Sequence, residues 1–298
     1  MPGGSASAEP ARRPARRRDP DRGPGLRRAL LLLPGLVFLL GFFLYPLGAL
    51  VATSVWDQGL TAVHYRRLLA VPTYTRVLLN TVWMATLVTA ACLLLGYPVA
   101  YRLATAGARA RRLLLAGILV PFWTNLLVRT FGWMVILHPR GVVNTWLGAV
   151  GLIAAPLPLV HNTTGVLIGM TQVMLPYMVL PLAAVMDGLD PRVMQAARSL
   201  GAGPWRGFLR VFLPLTLPGV AAGSLLVFIV SLGFFVIPAL LGGTRDILLA
   251  QLIQFHISTV LNWGFAAALA TVLLATTLTV YAVLTRWLGL GVLWGDTR

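Results

Sequence analysis

Long apolar runs separated by short, polar, arginine-bearing joints dominate this 298-residue chain. A helix needs about 20 apolar residues to cross the hydrocarbon of a bilayer. The runs predict six such helices, at about 29–53, 80–101, 113–137, 164–186, 214–240 and 264–285. Residues 141–160 are apolar enough to resemble another crossing, but Asn144, Trp146, three Gly and the Pro156-Leu157-Pro158 break interrupt them. They read as a short helix lying at the membrane surface or under a partner. In 246–262, Asp246 is placed to cap a helix whose polar positions hold Gln251, Gln254 and His256, a helix that belongs beside the membrane. The expected fold class is an all-α polytopic membrane protein with six transmembrane helices.

Composition agrees, and charge orients the spans. Hydrophobic residues make up 58% of positions and charged residues 11%, whereas a soluble domain carries about 25% charge. Every cationic side chain is Arg, and eight of these lie in residues 1–28, a Pro/Gly/Ala/Arg tail with too little apolar content to pack. The tail is expected to be disordered and to hold the N-terminus in the cytoplasm rather than to bind nucleic acid. The apolar run after it is too long for a signal-peptide core and lacks a clear cleavage site, so it reads as a retained first span. With six spans, eighteen Arg fall on the side of the tail, the 102–112 and 187–213 loops and the residues after the last span (Arg286 and Arg298), and five on the other. By the positive-inside rule, both termini and the 187–213 loop are cytoplasmic. A seventh span would put that loop's four arginines outside, so it is rejected.

The 187–213 loop has a readable shape. Asp190-Pro191 is a helix start, an N-cap side chain followed by a residue whose missing N–H costs nothing there. Gly201 is placed to end that helix in the left-handed geometry, and Gly203-Pro204 restarts a second short helix from Trp205 to about Phe212, ending at Leu213-Pro214. Within it, Gln195-Ala196-Ala197, three residues, Gly201, nine residues and Val211-Phe212-Leu213-Pro214 resemble the "EAA" signature of ABC-importer permeases. That resemblance implies that the loop docks into a groove of a cytoplasmic ATPase, with Gln195, Ala196, Ala197, Gly201, Trp205, Arg206, Leu213 and Pro214 forming the coupling surface. Gln195 stands where the family usually has Glu. This puts a specific ionic contact in doubt, but an exposed pair contributes only about 0–1 kcal/mol.

A wider set of residues sharpens the likeness. Pro121-Phe-Trp-Thr-Asn125-Leu-Leu-Val-Arg129-Thr-Phe-Gly-Trp133, Leu175-Pro176 with Leu180-Pro181, Gly201-Ala-Gly-Pro-Trp205, Ser231 to Gly243 and His64-Tyr65-Arg66-Arg67-Leu68 resemble the spermidine/putrescine-type permease subunit. The likeness spans roughly 30–290 and implies the type I importer permease fold in a bacterial inner membrane. It also implies three protein partners: a second, homologous permease subunit (a heterodimer), a cytoplasmic ABC ATPase dimer carrying ATP and Mg, and an extracytoplasmic solute-binding protein. The solute expected is a polyamine or related compound, with an opine or a metal chelate as the alternative within the same class.

The remaining polar residues narrow the mechanism. The chain has no G-x-x-x-x-G-K-[ST] phosphate loop, so the ATP chemistry is expected on a partner and no cofactor on this chain. No Asp or Glu lies inside the six predicted spans, which disfavours an ion-gradient-driven carrier. His64, His138, His161 and His256 are isolated in sequence, and no metal set or nucleophile–base pair is visible, which disfavours an enzyme. The candidate pathway residues are Asn125, Arg129, Gln172 and Phe234, the last at a position where some members of the resembled family carry Asp. Arg129 lies about 16 residues into the predicted third span, some 24 Å from its cytoplasmic edge at about 1.5 Å per residue. It serves either as an outward anchor with Trp133 or as a contact near the pathway.

Overall fold

The computed structural model describes residues 25–56 and 59–287, so the tail's residues 1–24 and the C-terminal end at 291–298 lie outside the described residues. The chain divides into two units, residues 1–49 and 50–298. From the N-terminal side, α1 (Gly25–Leu39) passes through a π-helical turn at Leu40–Leu44 into α2 (Tyr45–Val55). The apolar part of this helix, Leu31–Val55, is long enough to cross a membrane, and Pro34 lies inside α1.

The second unit continues with α3 (Val63–Ala70), α4 (Pro72–Thr105), α5 (Ala108–Trp123), α6 (Leu126–Leu137) and α7 (Val142–Ala149). After these come α8 (Thr163–Asp187), α9 (Pro191–Ser199), α10 (Pro204–Gly207), α11 (Leu213–Leu232), α12 (Val236–Leu241), α13 (Leu249–Ser258) and α14 (Trp263–Trp287). Among the described residues the only strand-like pairing is an isolated bridge between Trp56 and Leu60. The core forms where α4, α8 and α11 pack together, around Met84, Val88 and Cys92 of α4, Met170, Met174, Met178 and Leu182 of α8, and Val227 of α11. Small residues permit this approach: a Cβ at Gly223 would stand 2.9 Å from the Met178 sulfur and 3.0 Å from its carbonyl oxygen. A larger side chain there would push α11 off α8, the usual role of glycine between membrane helices.

Four expectations need correction. The third span, predicted as one helix over 113–137, is two helices, and the pair Ala108–Trp123 and Leu126–Ala149 is bent by 103°. The break is built from local polar chemistry that hydropathy does not register. Thr124 donates its hydroxyl to the Pro121 carbonyl at 2.7 Å, and Asn125 Oδ1 accepts from the Leu127 and Val128 amides at 2.9 and 3.4 Å. The depth expected for Arg129 along a straight helix therefore does not hold. The fifth span does not run to 240: α11 stops at Leu232, the chain turns through Gly233 with Phe234 N–H on the Ser231 carbonyl (3.2 Å), and Pro238 sits in the separate α12.

The second short helix of the 187–213 loop does not end at Leu213-Pro214. It continues as one helix over Pro204–Leu232, through a π-helical turn at Phe208–Phe212 that absorbs Pro214. Asp246 does not cap α13. Leu248 holds that position, with its amide donating to Gln251 Oε1 at 2.7 Å. Asp246, 4% exposed, accepts instead from the Thr163 hydroxyl at 2.5 Å and the Gly243 amide at 3.0 Å.

Among the described residues, five helices are thus long and apolar enough to cross a membrane, and six if the bent pair counts as one crossing. The 141–160 stretch forms only the eight-residue α7. Buried Asn144 ties α7 to its flanking segments, donating to the His138 and Leu157 carbonyls (3.2 and 3.0 Å) and accepting from the Leu157 amide (2.7 Å).

Candidate functional site

The polar loop after α8 is built on two helix ends. Asp187, the last residue of α8, meets Arg111 Nη2 at 2.5 Å and so ties the first turn of α5 to the start of the loop. Asp190 Oδ1 then accepts from the Arg192 amide at 2.8 Å, with Pro191 next to it in the first turn of α9. At the far end, Gly201 adopts φ +81°, its amide donating to Arg198 O (2.9 Å) while Ala202 N donates to Ala197 O (3.0 Å). This pair of bonds is the Schellman closure, in which a left-handed glycine satisfies the helix's terminal carbonyls. The closure turns the chain back into α10, where the Met194 methyl lies against buried Gly207.

The result is a presented surface. Gln195, Ala196, Arg198 and Leu200 are exposed, Ala197 is half-buried, and Trp205 is 71% exposed. Behind it lies a pocket of about 460 Å³ bordered by Tyr101, Asp187, Asp190, Gln195, Arg198 and Phe208. Arg206 is exposed beside Trp205, whereas Leu213 is half-buried and Pro214 exposed on the turn that enters α11.

A line of aromatic rings leads inward from this surface. Trp205 stacks on Phe208 at 6.0 Å between centroids, and Phe208 stacks on Phe212 at 5.9 Å. Tyr97 and Tyr101 of α4 meet them edge-on, Tyr101 at 5.3 Å from Phe212 and Tyr97 at 6.0 Å from Phe208. Tyr97 Oη and Thr216 Oγ1 share a 2.9 Å hydrogen bond that closes the contact between α4 and α11. Apart from Trp205, neither this ladder nor the Arg111–Asp187 pair is among the sequence-predicted site residues. Their signal was present: Trp205, Phe208 and Phe212 recur at spacings of three and four, as do Tyr97 and Tyr101, which places each set on one helix face.

Of the pathway candidates, the structure brings two together. Arg129 and Gln172 border one cavity of about 390 Å³ with Thr124, Gly132, Trp133 and Ile136. Trp133 Nε1 donates to Gln172 Oε1 at 3.4 Å, and no acceptor among the described residues meets the Arg129 Nε or Nη1, both of which are shielded from solvent. Asn125 caps α6 and does not line this cavity. Phe234 packs against the α4–α8–α11 core and does not line it either.

A second aromatic cluster also went unpredicted, because its members are far apart in sequence. Phe265 is ringed by His256 (4.8 Å), Tyr74 (4.9 Å) and His64 (6.2 Å), with the Arg67 guanidinium 5.0 Å above its face. Burial, and after it the Arg67 charge, push the pKa of His256 down.

Residues 93–292 match the family described as the binding-protein-dependent transport system inner membrane component. The spermidine/putrescine transport system permease protein PotB of Haemophilus influenzae is 37% identical over 254 residues, covering 84% of this chain and 87% of that protein. Its namesake in Escherichia coli is 39% identical over 224 residues, covering 74% and 81%. A chain of the crystal structure of a bacterial alginate ABC transporter in complex with an alginate pentasaccharide-bound periplasmic protein superposes with a TM-score of 0.69 at 18% identity. It covers 88% of this chain and 93% of that one, a likeness of fold.

Proposed function

Because the chain belongs to the family of binding-protein-dependent transport system inner membrane components, we propose that it is a permease subunit of an ATP-driven polyamine importer. The carrying observation is the identity of 37% over 84% of the chain with a spermidine/putrescine permease. In this reading the six-crossing chain keeps both termini in the cytoplasm and pairs with a second permease subunit. A cytoplasmic ATPase dimer binds ATP and Mg and seats on the surface formed by Gln195, Ala196, Ala197, Gly201, Trp205, Arg206, Leu213 and Pro214. An extracytoplasmic binding protein delivers the solute to the opposite face.

The loop's construction supports the ATPase contact. Two alanines give a flat patch on which a partner's backbone can lie close, and four arginines frame it with positive charge. A capped start and a Schellman end hold α9 rigidly to the presented face. Gln195 offers a neutral hydrogen bond in place of a carboxylate. The force of ATPase closure then reaches α4 and α11 through the aromatic ladder that begins at Trp205. Reconstitution in proteoliposomes with the ATPase, the second permease and the binding protein tests the reading. ATP-dependent accumulation of labelled spermidine or putrescine is expected; ATP-dependent uptake of a different solute alone, or uptake driven by an ion gradient without ATP, would overturn it.

A further inference from the structure

Arg129 sits one turn into α6 among Leu127, Val128 and Phe131, all exposed and apolar. Its Nε and Nη1 are closed off from solvent and lack an acceptor among the described residues. Guanidinium nitrogens shielded from water and left unpaired need an anionic or strongly accepting partner. No described acid of this chain is free to provide it. Asp187 is held by Arg111, Asp190 by the Arg192 amide, and Asp246 by Thr163 and the Gly243 amide. Gln172 stands at the same cavity, its carbonyl oxygen accepting from Trp133 Nε1 and its amide nitrogen a further donor. The cavity therefore presents hydrogen-bond donors of net positive charge and lacks a described carboxylate acceptor. A polycationic solute is repelled by such a group, so the solute is not its complement.

We propose that Arg129, with Gln172 beside it, is a carboxylate-binding site that the second permease subunit fills from across the subunit contact. The proposal rests on the reading of this chain as one of a pair of permease subunits. A guanidinium–carboxylate pair is among the stronger directional contacts available. In an apolar setting, losing one partner costs far more than the intact pair contributes. The site thus acts as a registration lock: the two permeases associate fully only when carboxylate and guanidinium meet.

The test uses the whole complex, purified through a tag on this chain after co-expression with the ATPase and the second permease. Recovery of the second permease with the unaltered chain checks the underlying reading, and its absence there would overturn that reading independently. Arg129→Gln is expected to lower recovery of the second permease by at least about tenfold, with the ATPase still bound, and Arg129→Lys to restore part of it. Arg129→Glu is expected to abolish recovery until one intramembrane carboxylate of the second permease is changed to Arg. Undiminished recovery with Arg129→Gln, or the failure of every single charge reversal to rescue Arg129→Glu, would overturn the site. So would intact assembly with a raised KM for the solute, which would mark Arg129 as a solute contact. The retained ATPase in the Arg129→Gln complex separates lost pairing from a misfolded chain.

Discussion

At the scale of single residues, the most constrained backbone position in the proposed coupling surface is Gly201. Its φ of +81° lies in the left-handed region, where a residue with a Cβ costs about 1–2 kcal/mol. No neighbour stands within 4 Å of where that Cβ would be, so the penalty is conformational and local rather than a packing clash. Gly201→Val is accordingly expected to insert and to assemble, yet to release the Schellman closure and tilt α9 away from α10. Solute-stimulated ATP hydrolysis in the reconstituted complex should lose its link to uptake, with transport per ATP falling about tenfold, a loss of about 1.4 kcal/mol in coupling. Normal uptake in that variant would remove the rigid loop from the mechanism. Gln195 is the contrasting case: its side chain is exposed on α9, where the proposed ATPase partner or water meets it.

At the scale of elements, the proposed coupling surface joins the membrane helices through rings and not through charges. The Arg111–Asp187 pair is 47% and 30% exposed on its two sides, and a contact so open to solvent contributes about 0–1 kcal/mol. Each aromatic contact in the ladder is worth about 0.5–1.5 kcal/mol beyond the area it buries, and the rings form one continuous path from Trp205 to Tyr97. Phe208→Leu keeps most of the volume and removes the centre of that path. It should lower uptake severalfold while the ATPase still co-purifies, with thermal stability down by no more than about 2 kcal/mol; unchanged uptake would mean that force travels by another route.

Much of this architecture was legible in the sequence, and the limits are physical. Asp190-Pro191 and Gly201 announced α9 correctly because caps and left-handed glycines act within a few residues. The bend at Thr124-Asn125 was not announced, because a hydropathy window averages over the two polar residues that make it. Asp246 failed as a cap for a related reason: a tertiary contact with Thr163, distant in sequence, outcompeted the local one. The ladder and the Phe265 cluster are assembled from helices far apart in the chain, and periodicity locates a helix face without naming what it meets.

For the molecule as a whole, the side that the proposed coupling surface occupies turns on the bent pair of α5 with α6 and α7. If α5 and α6 with α7 form one broken crossing, the chain crosses six times, and the four arginines of the 187–213 loop face the cytoplasm as the positive-inside rule expects. If the broken pair returns to the side on which it began, every later helix inverts, and the loop's four arginines face outward against the positive-inside rule. The helix carrying Trp205 and Arg206 runs without a break from Pro204 to Leu232, so the proposed coupling surface keeps its orientation to that helix in either case. Reporter fusions read this directly. A cytoplasm-active fluorescent protein fused at Trp205 should be bright and an export-dependent phosphatase there silent, while fusions at Val150 should give the opposite pattern. A phosphatase active at Trp205 would invert the downstream half and place the loop beyond the reach of any cytoplasmic ATPase.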